Sequence, residues 1–395
     1  AQTPMTWAQI KDRFESMNPV LRAGVLGIDE TRTGEVAAYL RPNPSMTITA
    51  DQLDPFTLHP LRPLYNALPA GSVSYLHERE HKRELRLDSA RRATEIAVEQ
   101  QSDLERNLLF ALKNAFVQLL QAKSVLAMAR DNLNYYDDFL RISRDRLQAG
   151  DIAQSDLDRL ELERVQYESD LQSAEVNLHT AKIQLLVALD DHTPIDSFDV
   201  TGRFDFDDHI PTLAELRQSA LEARPDLKAA IASIDKARVD HQLAIANGTA
   251  DPTFSVDAGR NPPLDHYVGV SISVPLRLFD RNQAEKTRTE LDIKRNEQLR
   301  EATAAQVFGD VDSAYSLLVS SLTLLHPYKE KYLRQAARVR DTVTFSYQHG
   351  GASLVDFLGA ENSYRSIQLN YLNLVASYLT AANQLNLAVG RDVMP

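Results

Sequence analysis

The chain has 395 residues, a formal net charge of −12 and no cysteine. The acidic balance excludes a nucleic-acid partner, which calls for clustered Lys and Arg. The missing thiols exclude a disulfide framework, a Cys-based zinc site and a thiol nucleophile. Gly (14) and Pro (17) are sparse, which suits long regular elements. No run nears the roughly 18 apolar residues of a membrane-spanning helix; the best, "SLLVSSLTLL" (316–325), is short and serine-rich. Any membrane contact would therefore be made by strands closed into a barrel.

In chain order, "NPVLRAGVLGIDETR" (18–32) reads as a helix and leads to a Pro-marked strand at about 43–51. A second strand is expected at about 71–80, followed by a long helix over about 85–148 with Leu108, Ala111, Ala115, Ala122, Val125 and Ala129 on its seam. Gly150 suits a helix stop with a tight reversal. The returning helix carries Leu157, Leu160, Arg164, Tyr167, Leu171, Ala174, Leu178, Ala181, Leu185 and Ala188 at alternating spacings of three and four. That is the seam of a left-handed coiled coil.

"RPDLKAAIASIDKAR" (224–238) then leads to strands at about 252–260 and 266–275. The last of these alternates cleanly: Val268, Val270, Ile272 and Val274 fall on one face, and Gly269, Ser271 and Ser273 on the other. A further long helix over about 282–348 has Val311, Tyr315, Leu318, Leu322 and Leu325 on its seam, with Pro327 inside it. Pro should kink the rod there or mark a splice between two helices. Gly350 repeats the stop, and Phe357, Ala360, Tyr364, Ile367, Tyr371, Leu374, Tyr378, Ala381, Leu385 and Ala388 repeat the seam. Asp151, Ser155 and Ser353 are candidate N-caps. Helices of sixty-odd residues span roughly 90–100 Å. On a seam, the tyrosines read as packing.

The chain repeats itself. Residues 146–190 lie over 346–390 without a gap, matching Gly150 with Gly350, Asp156 with Asp356 and Glu161 with Glu361. We read 1–206 and 207–395 as two copies of helix, strand pair, long helix, helix. Strands of 8–10 residues match tilted membrane strands, but about eight are needed to enclose a lumen. Four per chain imply a barrel shared between protomers.

One motif points elsewhere. "HEREH" (77–81) satisfies the zinc-protease pattern H-E-x-x-H, in which two His on one helix face bind the metal and the Glu activates water. Its flanks, "SVSYL" and "KRELR", are a strand-like approach and a charged exit, and positions 84 and 87 hold Glu and Leu where a third ligand would be sought. A zinc metalloprotease is the remote reading. His77 and His81 would also share a face on a strand, leaving a weak metal contact open. No phosphate cradle or nucleophile constellation is present, and no cofactor is expected.

The duplicated plan, "SVPLRLFDRNQAEKTR", "SYLHEREHKRELRLDSAR" and "YQHGGASLVDFLGA" together resemble the TolC-type outer-membrane efflux family over about residues 5–390. "PLRLFDRNQ" and "KRELR" look most like its heavy-metal (CusC- and CzcC-like) branch. The resemblance implies a mainly α chain with a small β part. Its strands enter a shared trimeric transmembrane β-barrel, and its helices form a long antiparallel coiled-coil helical barrel reaching into the periplasm of a Gram-negative cell. It implies a non-enzymatic exit duct, a homotrimer working with a periplasmic adaptor and an inner-membrane RND transporter, with heavy-metal cations as cargo. Multidrug efflux and type I protein secretion are the alternatives.

On this reading Val268, Val270, Ile272 and Val274 face outer-membrane lipid. The tips, with Arg146, Leu147, Gly150, Asp151, Tyr347, Gly350 and Gly351, meet the adaptor. Asp356 belongs to an acidic ring narrowing the periplasmic entrance, and Asp156 holds the matching place in the first copy. The family pattern has a second acid three residues on, where this chain has Gly359.

Overall fold

The computed structural model describes residues 4–53 and 67–394. Helices α1 (Trp7–Met17) and α2 (Pro19–Tyr39) lead to strands β1 (Ser45–Asp51) and β2 (Leu68–Leu76), then to α3 (Lys82–Ala149) and α4 (Gln154–Ala188). The order recurs with α5 (Leu213–Ala223), α6 (Pro225–Asn247), β3 (Thr253–Asn261) and β4 (Leu264–Ser273). The second long helix is divided into α7 (Gln283–Pro327) and α8 (Leu333–Gln348), and α9 (Leu354–Val389) returns. The described residues are thus mainly helical with one four-stranded antiparallel sheet, as expected.

Local chemistry explains the helix boundaries. Thr6 with Gln9, Thr212 with Glu215 and Ser353 with Asp356 form reciprocal capping boxes at the starts of α1, α5 and α9. Asn18 accepts hydrogen bonds from the backbone N–H groups of Val20 and Leu21 at 2.9 and 3.1 Å, and Pro19 opens α2. Of the three expected N-caps, only Ser353 serves. The first copy uses Ala153, with no side-chain cap, in place of Asp151 or Ser155. Pro327 produces the splice: residues Tyr328–Tyr332 form a π-helical turn, closed by Leu333 N–H donating to the Tyr328 carbonyl.

The strand predicted at 71–80 ends at Leu76. His77 N–H still donates to the Pro252 carbonyl at 2.9 Å. The chain then turns through Glu80 and His81, both at positive φ (56° and 54°). The strand predicted at 266–275 starts two residues earlier and stops at Ser273, so Val274 lies beyond its end.

The residues gather in two compact units, each drawing on both halves of the sequence: Ala1–Gly24 with Gln101–Pro225 and Ala304–Pro395, and Val25–Gln100 with Asp226–Thr303. In the first, Ile10 and Phe14 of α1 pack with Leu112, Phe116 and Leu119 of α3, Leu185 of α4, and Phe198 and Val200. A second cluster joins Tyr136, Phe139 and Leu140 of α3, Leu157, Leu160 and Tyr167 of α4, Tyr347 of α8, and Leu354 and Phe357 of α9. The heptad seams supply these cores with Leu160, Leu185 and Phe357, and Leu318 and Leu385 at other seam positions are likewise fully buried. Arg164 is the exception on its seam, placing its guanidinium against Asp137 at 2.5 Å.

Candidate functional site

The sheet of the second unit runs β1-β2-β3-β4, all antiparallel. Its register sorts side chains by polarity. Met46, Val73, Val256 and Val270 form one continuous cross-strand row, flanked by Tyr75, Phe254 and Ile272 on one side and Ile48, Gly71, Ala258 and Val268 on the other. Ser45, Ser74, Ser255 and Ser271 form a row on the opposite face, where Ser45 and Ser74 hydroxyls lie 2.7 Å apart. An ordinary half-buried sheet hides the apolar face. Here it is open, with Val268 77% and Val270 82% exposed, and Ser45 and Ser271 on the opposite face are exposed too.

Gly269 belongs to the serine face for a packing reason. A Cβ there would come within 2.8 Å of the Asp257 carboxylate, which lies across it. Among the described residues β1 and β4 each have one strand neighbour, so both edges keep free backbone donors and acceptors.

The charged stretch after β2 has a structural task. Lys82, 4% exposed, donates to the Asp251 carboxylate at 2.6 Å and the Thr249 carbonyl at 2.7 Å. Arg79 N–H donates to the same carboxylate at 2.9 Å, and Arg86 grips Glu78 through both carboxylate oxygens. These bonds tie the start of α3 to the segment before β3. They overturn the protease reading: the five residues lie outside any helix or strand, and the would-be general base is spent on Arg86. His77 and His81 share neither a helix face nor a strand face. Among the described residues no group of three His, Cys, Asp or Glu could hold a metal.

The two tips of the first unit have one geometry. Gly150 N–H donates to the Leu147 carbonyl and Asp151 N–H to that of Arg146; Gly350 N–H donates to Tyr347 and Gly351 N–H to Ser346. Both are Schellman closures, with Gly150 at φ +80° and Gly350 at φ +77°. Gly150, Asp151, Gly350 and Gly351 are exposed, while Arg146 and Leu147 are half-buried. Tyr347 is 7% exposed. Its ring stacks on Phe357 at 5.4 Å, with Arg146 over it at 5.7 Å, so it packs inside the tip and leaves outward contact to its neighbours.

Asp356 accepts hydrogen bonds from the Ser353 hydroxyl (2.7 Å) and N–H (3.1 Å), which hold its carboxyl below the usual carboxylate range. Asp156 is half-buried in the first turn of α4, and its charge bears on Tyr347. Two exposed apolar side chains at the second tip were not picked out from sequence: Phe345 (62%), its ring 4.1 Å from that of His349, and Val355 (69%). Both sit off the seam beside Gly350, which is the signal that could have found them.

The outer membrane efflux protein family matches residues 216–391. The pyoverdine export outer membrane protein OpmQ of Pseudomonas aeruginosa is 25% identical over 299 residues, covering 73% of this chain. The chain spans 62% of that relative's length. The fold is similar to that of CusC (TM-score 0.80, 16% identity, 97% of this chain and 92% of that one). It is also similar to VceC from Vibrio cholerae (TM-score 0.76, 15% identity, 98% and 96%) and to the open state of the Neisseria gonorrhoeae MtrE channel (TM-score 0.78, 17% identity, 97% and 88%).

Proposed function

From the match of residues 216–391 to the outer membrane efflux protein family, we propose that the chain is a member of it and that three copies form an exit duct of a tripartite efflux system. Each protomer contributes four strands to one outer-membrane barrel, and the helices continue it as a periplasmic tunnel. The observation that carries this reading is the inverted sheet. An apolar face left open, a serine face turned the other way and two unpaired edges suit strands that meet lipid outside, water inside and a neighbour on each side. No described helix is long and apolar enough to cross a membrane. Val268, Val270 and Ile272 are the proposed lipid contacts, with Val274 just past the strand at the interface. The halves 1–206 and 207–395 are proposed products of a duplication, supported by the recurring element order.

The exposed turn residues of both tips dock the periplasmic adaptor, which links the duct to an inner-membrane RND transporter. Asp356, with Asp156 as its counterpart in the first repeat, makes the acidic entrance. We assign heavy-metal cations as cargo, supported by "PLRLFDRNQ" and "KRELR" and by the net charge of −12. The similarity to OpmQ favours a second reading, export of pyoverdine. Outer-membrane fractionation of the native protein tests the duct, and its recovery in the soluble fraction would end that reading. Restoring the gene to a deletion strain tests the cargo: regained tolerance of metal cations supports the assignment, and regained pyoverdine export without it supports the second.

A further inference from the structure

Glu361 is 3% exposed on α9, and its Oε1 has no hydrogen-bond partner. Cations lie close but are committed elsewhere. Arg340 of α8 donates to Asp341 at 2.8 Å and is stacked between Tyr135 of α3 (4.6 Å) and Tyr364 of α9 (4.1 Å). Arg365, on the same helix as Glu361, donates to Asp170 at 2.8 Å and covers Tyr167 of α4 at 4.2 Å. Among the described residues neither guanidinium forms an ion pair with Glu361 within 4.0 Å. The other groups that bear on the carboxyl are Asp341 of α8, Tyr135 and Tyr136 of α3, and Tyr167 of α4.

The first repeat shows what has changed. Glu161, the counterpart of Glu361, is 45% exposed and accepts a hydrogen bond from Arg144 at 2.9 Å. Continued two residues upstream, the gapless alignment puts Thr344 where Arg144 stands. Thr344 is buried and donates to the Arg340 carbonyl at 2.8 Å. One copy therefore keeps a solvated ion pair, and the other keeps the acid, buries it and drops its base.

A charged carboxylate in such a place is strongly disfavoured unless paired. We propose that Glu361 is a proton-operated latch: neutral, it sits in the close packing of α3, α8 and α9, and loss of its proton loosens the α8–α9 hairpin. Burial, set against the pull of Arg340 and Arg365, pushes its carboxyl up to about 7. From the ordinary carboxylate range to about that pH, the folded hairpin holds a proton that the opened chain releases. Stability of the packing therefore falls as pH rises through this interval and levels off above it. The π-helical turn at Tyr328–Tyr332 gives α8, which carries Arg340, an irregular start.

Hydrogen exchange on the assembled protein in detergent tests the latch without reference to transport. After correction for intrinsic exchange, amides of α8 and the first turns of α9 should lose protection about tenfold or more between pH 5.5 and 8.5 in wild type. Glu361→Gln should keep its protection across that range, and Glu161→Gln should behave as wild type. If Glu361→Gln does not assemble, Glu361→Met is read the same way. Unchanged protection in wild type, or an equal loss in the Glu361 variant, overturns the latch.

Discussion

Two demands meet on the carboxylate of Asp356. It closes the capping box of α9 with Ser353, and in the proposed trimer three copies of it surround a narrow opening. The hydrogen bonds from Ser353 keep it ionised, so the cap and the ring reinforce one another. A ring of like charge attracts cations, with a strength that falls as salt rises. Asp356→Asn retains an oxygen acceptor for Ser353 and removes the charge. Cation selectivity of single channels in a planar bilayer should drop at low salt and change little at high salt. Asp156→Asn should alter it less. Equal low-salt selectivity in wild type and Asp356→Asn would remove the acidic entrance and leave the duct standing.

At the level of elements, β4 and the tips make separate claims. Arg at Val270 should cost about 2–4 kcal/mol near the bilayer midplane, and Arg at Ser271 much less, because only the first side chain is driven into hydrocarbon. Assembly assays across denaturant should rank them in that order; equal tolerance would refute the facing. Gly150 and Gly350 both occupy the left-handed region and donate backbone hydrogen bonds that close their turns. Proline cannot adopt that φ and has no N–H. The double variant Gly150→Pro, Gly350→Pro should lose adaptor cross-linking while the strands still assemble. Persistent cross-linking would move the docking surface away from the turns.

For the whole molecule, closure is the decisive requirement. Among the described residues, two unpaired strand edges and an open apolar face leave a lone protomer with unsatisfied backbone groups that lipid cannot pair. Native mass measurement in detergent should give three times 44.3 kDa. A monomer or dimer under those conditions would overturn the shared barrel. Both compact units take residues from both halves of the chain, so truncation after 206 should yield neither unit; a cooperatively folded first half would contradict that expectation.

What was legible in the sequence was whatever is periodic or local. Alternation in Val268–Ser273, three-four spacing from Leu157 to Ala188 and the glycines at both reversals report strand, seam and turn directly, since each depends on neighbours a few residues away. Pro327 marked a break but not its π-helical form. What required the tertiary structure was whatever depends on a partner distant in sequence. "HEREH" matches a metal pattern letter for letter, yet Arg86 holds its Glu78 and Asp251 accepts from its Arg79 backbone N–H. Tyr347 looks like a tip residue and is drawn inside by Phe357. Glu161 and Glu361 align as equals, and only packing separates them: Arg144 keeps one charge in water, while Thr344, in the matching place, leaves the other buried among helices that offer it no free base.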